Sequence, residues 1–116
     1  MPGNLPLEAA LAVLNALPLD LTYIDGNDII RYFSDFRIFK RQPEILGTRV
    51  QDCHKPESRP QVNEVIDELK SGRKEVSEFW IDFKGRKVHI RYFAVRDRAG
   101  KYMGLVEIGE ARNALE

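Results

Sequence analysis

The last third of the chain most restricts the fold. Residues of about 75–84, 87–96 and 101–109 read as strands, rich in Val, Ile, Phe, Tyr and Trp, and they are separated by the turn signals Gly85-Arg86 and Asp97-Arg98-Ala99-Gly100. A two-residue turn at Gly85-Arg86 sets Phe83 opposite Val88, Ile81 opposite Ile90 and Phe79 opposite Tyr92. The other face then carries Val76, Glu78, Trp80 and Asp82 against Val95, Phe93, Arg91 and His89. Both faces hold large apolar groups, so a cover is expected on each. Helices from the middle of the chain suit one face; the N-terminal helix, a partner subunit or both suit the other.

The rest of the chain supplies those covers. Residues 5–17 carry Leu7, Leu11 and Leu14 at helical spacing, extended by Ala10 and Leu17, and Pro18 stops the run. A helix this short is marginal alone, so its stripe needs something to pack on. Residues 20–25 and 28–34 read as a hairpin around Asp25-Gly26-Asn27-Asp28. From Asp35 to Gly47, short helical turns broken by Pro43 present Phe36, Ile38, Phe39, Ile45 and Leu46; Thr48 to Glu57 is the least regular stretch. Residues 59–70 form the clearest helix, with Val62, Val65, Ile66 and Leu69 on one face, Ser58 and Gln61 as a capping box, Pro60 in the first turn and Gly72 at the end. This order predicts an α+β fold: a five-stranded antiparallel sheet with short helices on one face and an N-terminal capping helix.

Composition narrows the function. Lys plus Arg and Asp plus Glu balance at 18 each, which leaves no net field for nucleic acid or an anionic membrane, and neither is expected as a partner. The lone Cys53 allows no internal disulfide and suits a reducing compartment. No apolar run reaches the roughly 20 residues of a membrane span, and the N-terminus lacks the pattern of a signal peptide, so the expected setting is cytoplasmic.

Several segments resemble one family. Leu19-Asp20-Leu21-Thr22-Tyr23-Ile24-Asp25 with Ile30-Arg31-Tyr32-Phe33-Ser34 resembles the opening hairpin of a PAS domain. Ile45-Leu46-Gly47-Thr48-Arg49-Val50-Gln51-Asp52-Cys53-His54 resembles the segment that leads into the long PAS helix, and Glu78-Phe79-Trp80-Ile81 with the run from His89 to Asp97 resembles the last strands. The likeness covers roughly residues 8–108 and is nearest to a PAS subfamily often attached to hemerythrin-like domains. It implies a capping and dimerisation helix over 1–18, a PAS domain over 19–109 and a tail over 110–116 that could begin a signalling helix.

The resemblance also implies where a ligand would sit, in a pocket between sheet and helices. Candidates for its wall are Phe79, Ile81, Ile90, Tyr92, Met103 and Leu105, with Tyr32, Phe36 and Phe39 as neighbours; the bland reading of the same residues is a filled core. The same register turns Glu107 inward, which requires a bulge there or an earlier strand end. Cys53 and His54 form a second candidate: a metal or haem ligand or a tuned thiolate on one reading, a small buried thiol and a loop-fixing histidine on the other. Haem-binding PAS domains often use a histidine near the long helix, so His54 is the candidate axial ligand. Light-sensing flavin PAS domains carry Asn-Cys-Arg-Phe-Leu-Gln; Gln51-Asp52-Cys53-His54-Lys55-Pro56 departs from it, so a photoactive flavin is not expected.

The outer face gives dimer-surface candidates: Leu7, Leu11 and Leu14 from the helix, and Trp80, Arg91 and Phe93 from the sheet, with Arg91 set against Trp80 and His89 against Asp82. The function implied is a sensory or regulatory module that binds a small ligand and signals through a homodimer or a partner protein. The alternative is a dimerisation module with a filled core and no ligand. An enzyme ranks last, because no nucleophile–base set, paired-carboxylate site or phosphate loop emerges.

Overall fold

A computed structural model describes residues 2–112. Helix α1 (Leu7–Ala16) leads into strands β1 (Asp20–Asp25) and β2 (Ile30–Phe33). Three 3-10 turns follow, Pro43–Ile45, Val50–Cys53 and Pro56–Ser58, and then helix α2 (Arg59–Ser71). Strands β3 (Val76–Phe83), β4 (Arg86–Arg96) and β5 (Tyr102–Arg112) complete one antiparallel sheet in the order β2-β1-β5-β4-β3. This is the expected α+β fold. β5 runs three residues past Gly109, so the start of the expected tail is strand; residues 113–116, where a signalling helix was expected, lie outside the described residues.

The inner sheet face packs on α2 and the 3-10 turns. Ile24, Ile30 and Leu105 from the sheet, Val50 from the second 3-10 turn, and Val65, Ile66 and Leu69 from α2 form one buried cluster. α2 ends as its sequence requires: Gly72 takes φ 82° and its N–H donates to the Leu69 carbonyl. Its start differs from expectation. Ser58 makes no side-chain cap, because the Pro56–Ser58 turn runs straight into the helix and leaves Ser58 in helical rather than extended backbone. Instead the Arg59 side chain donates back to the carbonyls of Gln51 and His54.

Three local irregularities decide which residues face the core. The β3–β4 turn is Lys84-Gly85, with φ of 50° and 77°, rather than Gly85-Arg86. Both central residues are left-handed, the geometry that matches strand twist in a two-residue hairpin. The register therefore moves by two: Phe79 pairs with Ile90, Ile81 with Val88, Trp80 with His89 and Glu78 with Arg91. Because the shift is even, each residue keeps its expected face.

The other two irregularities are bulges, and each reverses a face. In β2, Tyr32 pairs with Tyr23 but Ile30 pairs with Ile24, so Arg31 is the extra residue. Tyr32 thereby turns outward, beside Tyr23, whose own partner on β5 is Val106. In β5, Gly104 pairs with Val95 but Tyr102 pairs with Arg96, so Met103 is the extra residue and is 47% exposed. Gly104 permits this: its φ is 138°, and a Cβ there would sit 2.1 Å from the Ile24 carbonyl oxygen.

Among the described residues, the outer face stays open. Trp80 is 53% exposed, and its ring stacks on His89 at 4.2 Å between centroids. Arg91 pairs with Glu110 and lies over Phe93, while Arg112 takes the place over Trp80 expected for Arg91. His89 bonds Glu78 at 2.8 Å, and Asp82, expected opposite it, pairs with Lys87 at 2.9 Å. α1 has no buried residue; Leu7 and Leu11 are exposed and Leu14 is half-buried. The helix is tied down by a reciprocal clamp in which Asn15 Nδ2 donates to Asp35 and the Asp35 N–H donates to Asn15 Oδ1.

Candidate functional site

A cavity of about 450 Å³ lies between α2 and the inner face of β3, β4 and β5. Strand alternation supplies Phe79 and Ile81 from β3, Ile90 and Tyr92 from β4, and Leu105 and Glu107 from β5. α2 contributes Val62, Val65 and Ile66 at helical spacing, and the segment before it adds His54 and Ser58. The wall is mainly apolar, with few polar groups.

Two of those polar groups, His54 and Glu107, have defined partners. His54 Nδ1 lies 3.0 Å from the Val50 carbonyl. A carbonyl only accepts, so Nδ1 carries the proton and Nε2 holds the lone pair of the neutral ring. Glu107 pairs across the strands with Tyr92 and is 7% exposed. Burial, then the charge of the neighbouring Glu107, push the Tyr92 hydroxyl well above its ordinary pKa. The phenol therefore stays protonated beside the Glu107 carboxylate.

Glu107 needs neither a bulge nor an early strand end, because a cation meets it inside. Arg41 Nη2 lies 3.4 Å from Glu107 Oε1. Beside them, Arg37 Nη2 meets Asp20 Oδ1 at 2.6 Å, with only 1% of the Asp20 side chain exposed. Asp20 Oδ2 also accepts the N–H groups of Ile38 and Phe39. Two acids from the sheet thus face two arginines from the 35–42 segment. Burial lowers the Arg37 pKa, opposed by the adjacent Asp20 carboxylate. Neither arginine was singled out from the sequence. The available signal was an inward Glu107, which demands a buried counter-charge.

Of the residues expected in the wall, His54, Phe79, Ile81, Ile90, Tyr92 and Leu105 are brought together there. Five are not. Tyr32 and Met103 are displaced by their bulges, and Phe36 is 48% exposed. Phe39 packs on Phe83 at 4.8 Å and over Gly109 and does not line the wall. Cys53 is half-buried against the core cluster and does not line the wall, so it does not join His54 in a shared site. Trp80, expected only on the dimer surface, also borders the cavity.

A family model described as a PAS domain matches residues 11–109. The chain belongs to the PAS-domain family. Among solved structures, the C-terminal domain of a Streptococcus mutans protein is similar at 32% identity and a TM-score of 0.85, covering 96% of this chain and 90% of that one. The PAS domain of BvgS from Bordetella pertussis is similar at 15% identity and TM-score 0.73, covering 92% and 86%. A sensory box sensor histidine kinase from Vibrio cholerae is similar at 13% identity and TM-score 0.65, covering 88% of each chain. At the last two identities the likeness shows the fold. A comparison with curated proteins gives no match. No helix among the described residues of this PAS domain is long and apolar enough to cross a membrane.

Proposed function

We propose that this PAS domain is a sensory or regulatory module that takes a small ligand between α2 and the inner sheet face. It would report the ligand through α1 and the outer face, in a homodimer or to a signalling partner. The observation that carries the reading is the cavity of about 450 Å³, within the range of small-molecule sites and walled by apolar side chains with a few converging polar groups. The sensor histidine kinase among the similar folds supports a regulatory setting. The finer assignment, to the subfamily often attached to hemerythrin-like domains, rests on the likeness of segments 19–25, 30–34, 45–54, 78–81 and 89–97.

Haem fits this wall poorly. His54 has the right tautomer for an axial ligand, with Nδ1 held by a carbonyl and Nε2 available. Yet the wall contains Glu107 and no lysine or arginine, so a dianionic porphyrin meets a like charge and no partner. A smaller, uncoloured ligand suits it better. Cys53, outside the wall, gives no support to a flavin adduct.

A second reading, a dimerisation module without a ligand, is favoured by the exposure of Leu7 at 77% and Trp80 at 53%. Native mass spectrometry and an absorption spectrum of freshly purified protein separate the readings. The expected result is a bound mass of a few hundred daltons or less and no visible band. A Soret band that His54→Ala removes would overturn the preference against haem. A bare mass, with no binding from a metabolite extract, would favour the dimerisation module.

A further inference from the structure

Resting on that ligand-binding reading, we propose that the cavity selects a small, largely apolar ligand that carries a hydrogen-bond donor, an amine or a hydroxyl, and rejects carboxylates. The argument comes from what each buried polar group has left to offer. Glu107 is an acid with its side chain 9% exposed, and it borders the cavity. Its contact to Arg41 uses Oε1 and is long at 3.4 Å. Tyr92 and Glu107 are cross-strand partners, so the phenol borders the cavity beside the carboxylate, and its hydroxyl can accept as well as donate. His54 spends its proton on the Val50 carbonyl, which leaves Nε2 as an acceptor. Ser58 and Gln61 can turn either way.

Two groups, Glu107 and His54 Nε2, thus present acceptors, and Glu107 is the only wall residue that is a charged carboxylate or a lysine or arginine. The two arginines nearby do not compensate a second anion. Arg37 is engaged by Asp20 and Arg41 by Glu107, so this four-residue cluster is already neutral. A carboxylate ligand would bring a like charge against Glu107 where water is largely excluded. A donor would meet a charged acceptor and form the stronger class of hydrogen bond.

The test uses four probes on one benzene skeleton: ethylbenzene, para-ethylphenol, phenylethylamine and phenylpropionate. Each is titrated into the full chain while the methyl signals of Ile90, Leu105 and Val65 are followed by NMR. The amine and the phenol are expected to bind about tenfold or more tightly than the carboxylate, the scale of one charged hydrogen bond. Glu107→Gln should narrow the gap between amine and carboxylate to within about threefold. If that variant does not fold, the ranking on the unmodified chain still decides. Binding of ethylbenzene with no advantage for the donors, or a carboxylate that binds as well as the amine, overturns this inference and leaves the cavity reading standing. Failure of all four probes overturns both.

Discussion

Replacing Gly104 with alanine tests the strand contact that closes the sheet. A Cβ at this position would lie 2.1 Å from the Ile24 carbonyl oxygen, 2.9 Å from the Asp25 Cα and 3.0 Å from the Asp25 carbonyl carbon. All three are backbone atoms of β1, so no side chain can swing aside. The φ of 138° adds strain for any L side chain, about 1–3 kcal/mol. Relief requires β1 and β5 to part by roughly an ångström, which loosens ladder hydrogen bonds worth about 1 kcal/mol each. The expected loss is about 3–5 kcal/mol, roughly a fifth or more of the ~5–15 kcal/mol that holds a typical domain together. Gly85→Ala is the control: its φ is 77°, but no heavy atom lies within 4 Å of the added Cβ, so only strain of about 1 kcal/mol is expected. Urea unfolding followed by circular dichroism compares the two. If Gly104→Ala loses no more than Gly85→Ala, close approach of the strands is not what the glycine provides.

Two further predictions follow from other parts of the molecule. All four tyrosines, Tyr23, Tyr32, Tyr92 and Tyr102, have pKa values raised chiefly by burial, Tyr102 to about 12. Since each folded value exceeds the unfolded value of about 10, the stabilisation is complete below pH 10 and is lost as pH rises through the folded values. Phenolate absorbance should therefore lag behind free tyrosine and appear together with unfolding; a full phenolate band near pH 10 with the circular dichroism intact would contradict the burial. Trp80→Glu should convert a dimer into a folded monomer if the outer face is the contact surface, and an unchanged mass in light scattering would place the contact elsewhere.

The amino-acid sequence determined the elements and their order, because these depend on short-range rules. Alternation in residues 75–109, the turn residues between strands and the stripe of Val62, Val65, Ile66 and Leu69 each act over a few positions. The faces of β3 and β4 were legible too, since the displaced turn moved the register by an even number. Tertiary structure decided the rest. The bulges at Arg31 and Met103 arise where strands must bend to pair with neighbours distant in sequence, and each turned an expected pocket residue away. Likewise, nothing local to Arg37 or Arg41 announces that they fold across the sheet to meet Asp20 and Glu107. A buried charge finds its partner only when the chain closes on itself, and here that closure sets the polarity of the cavity.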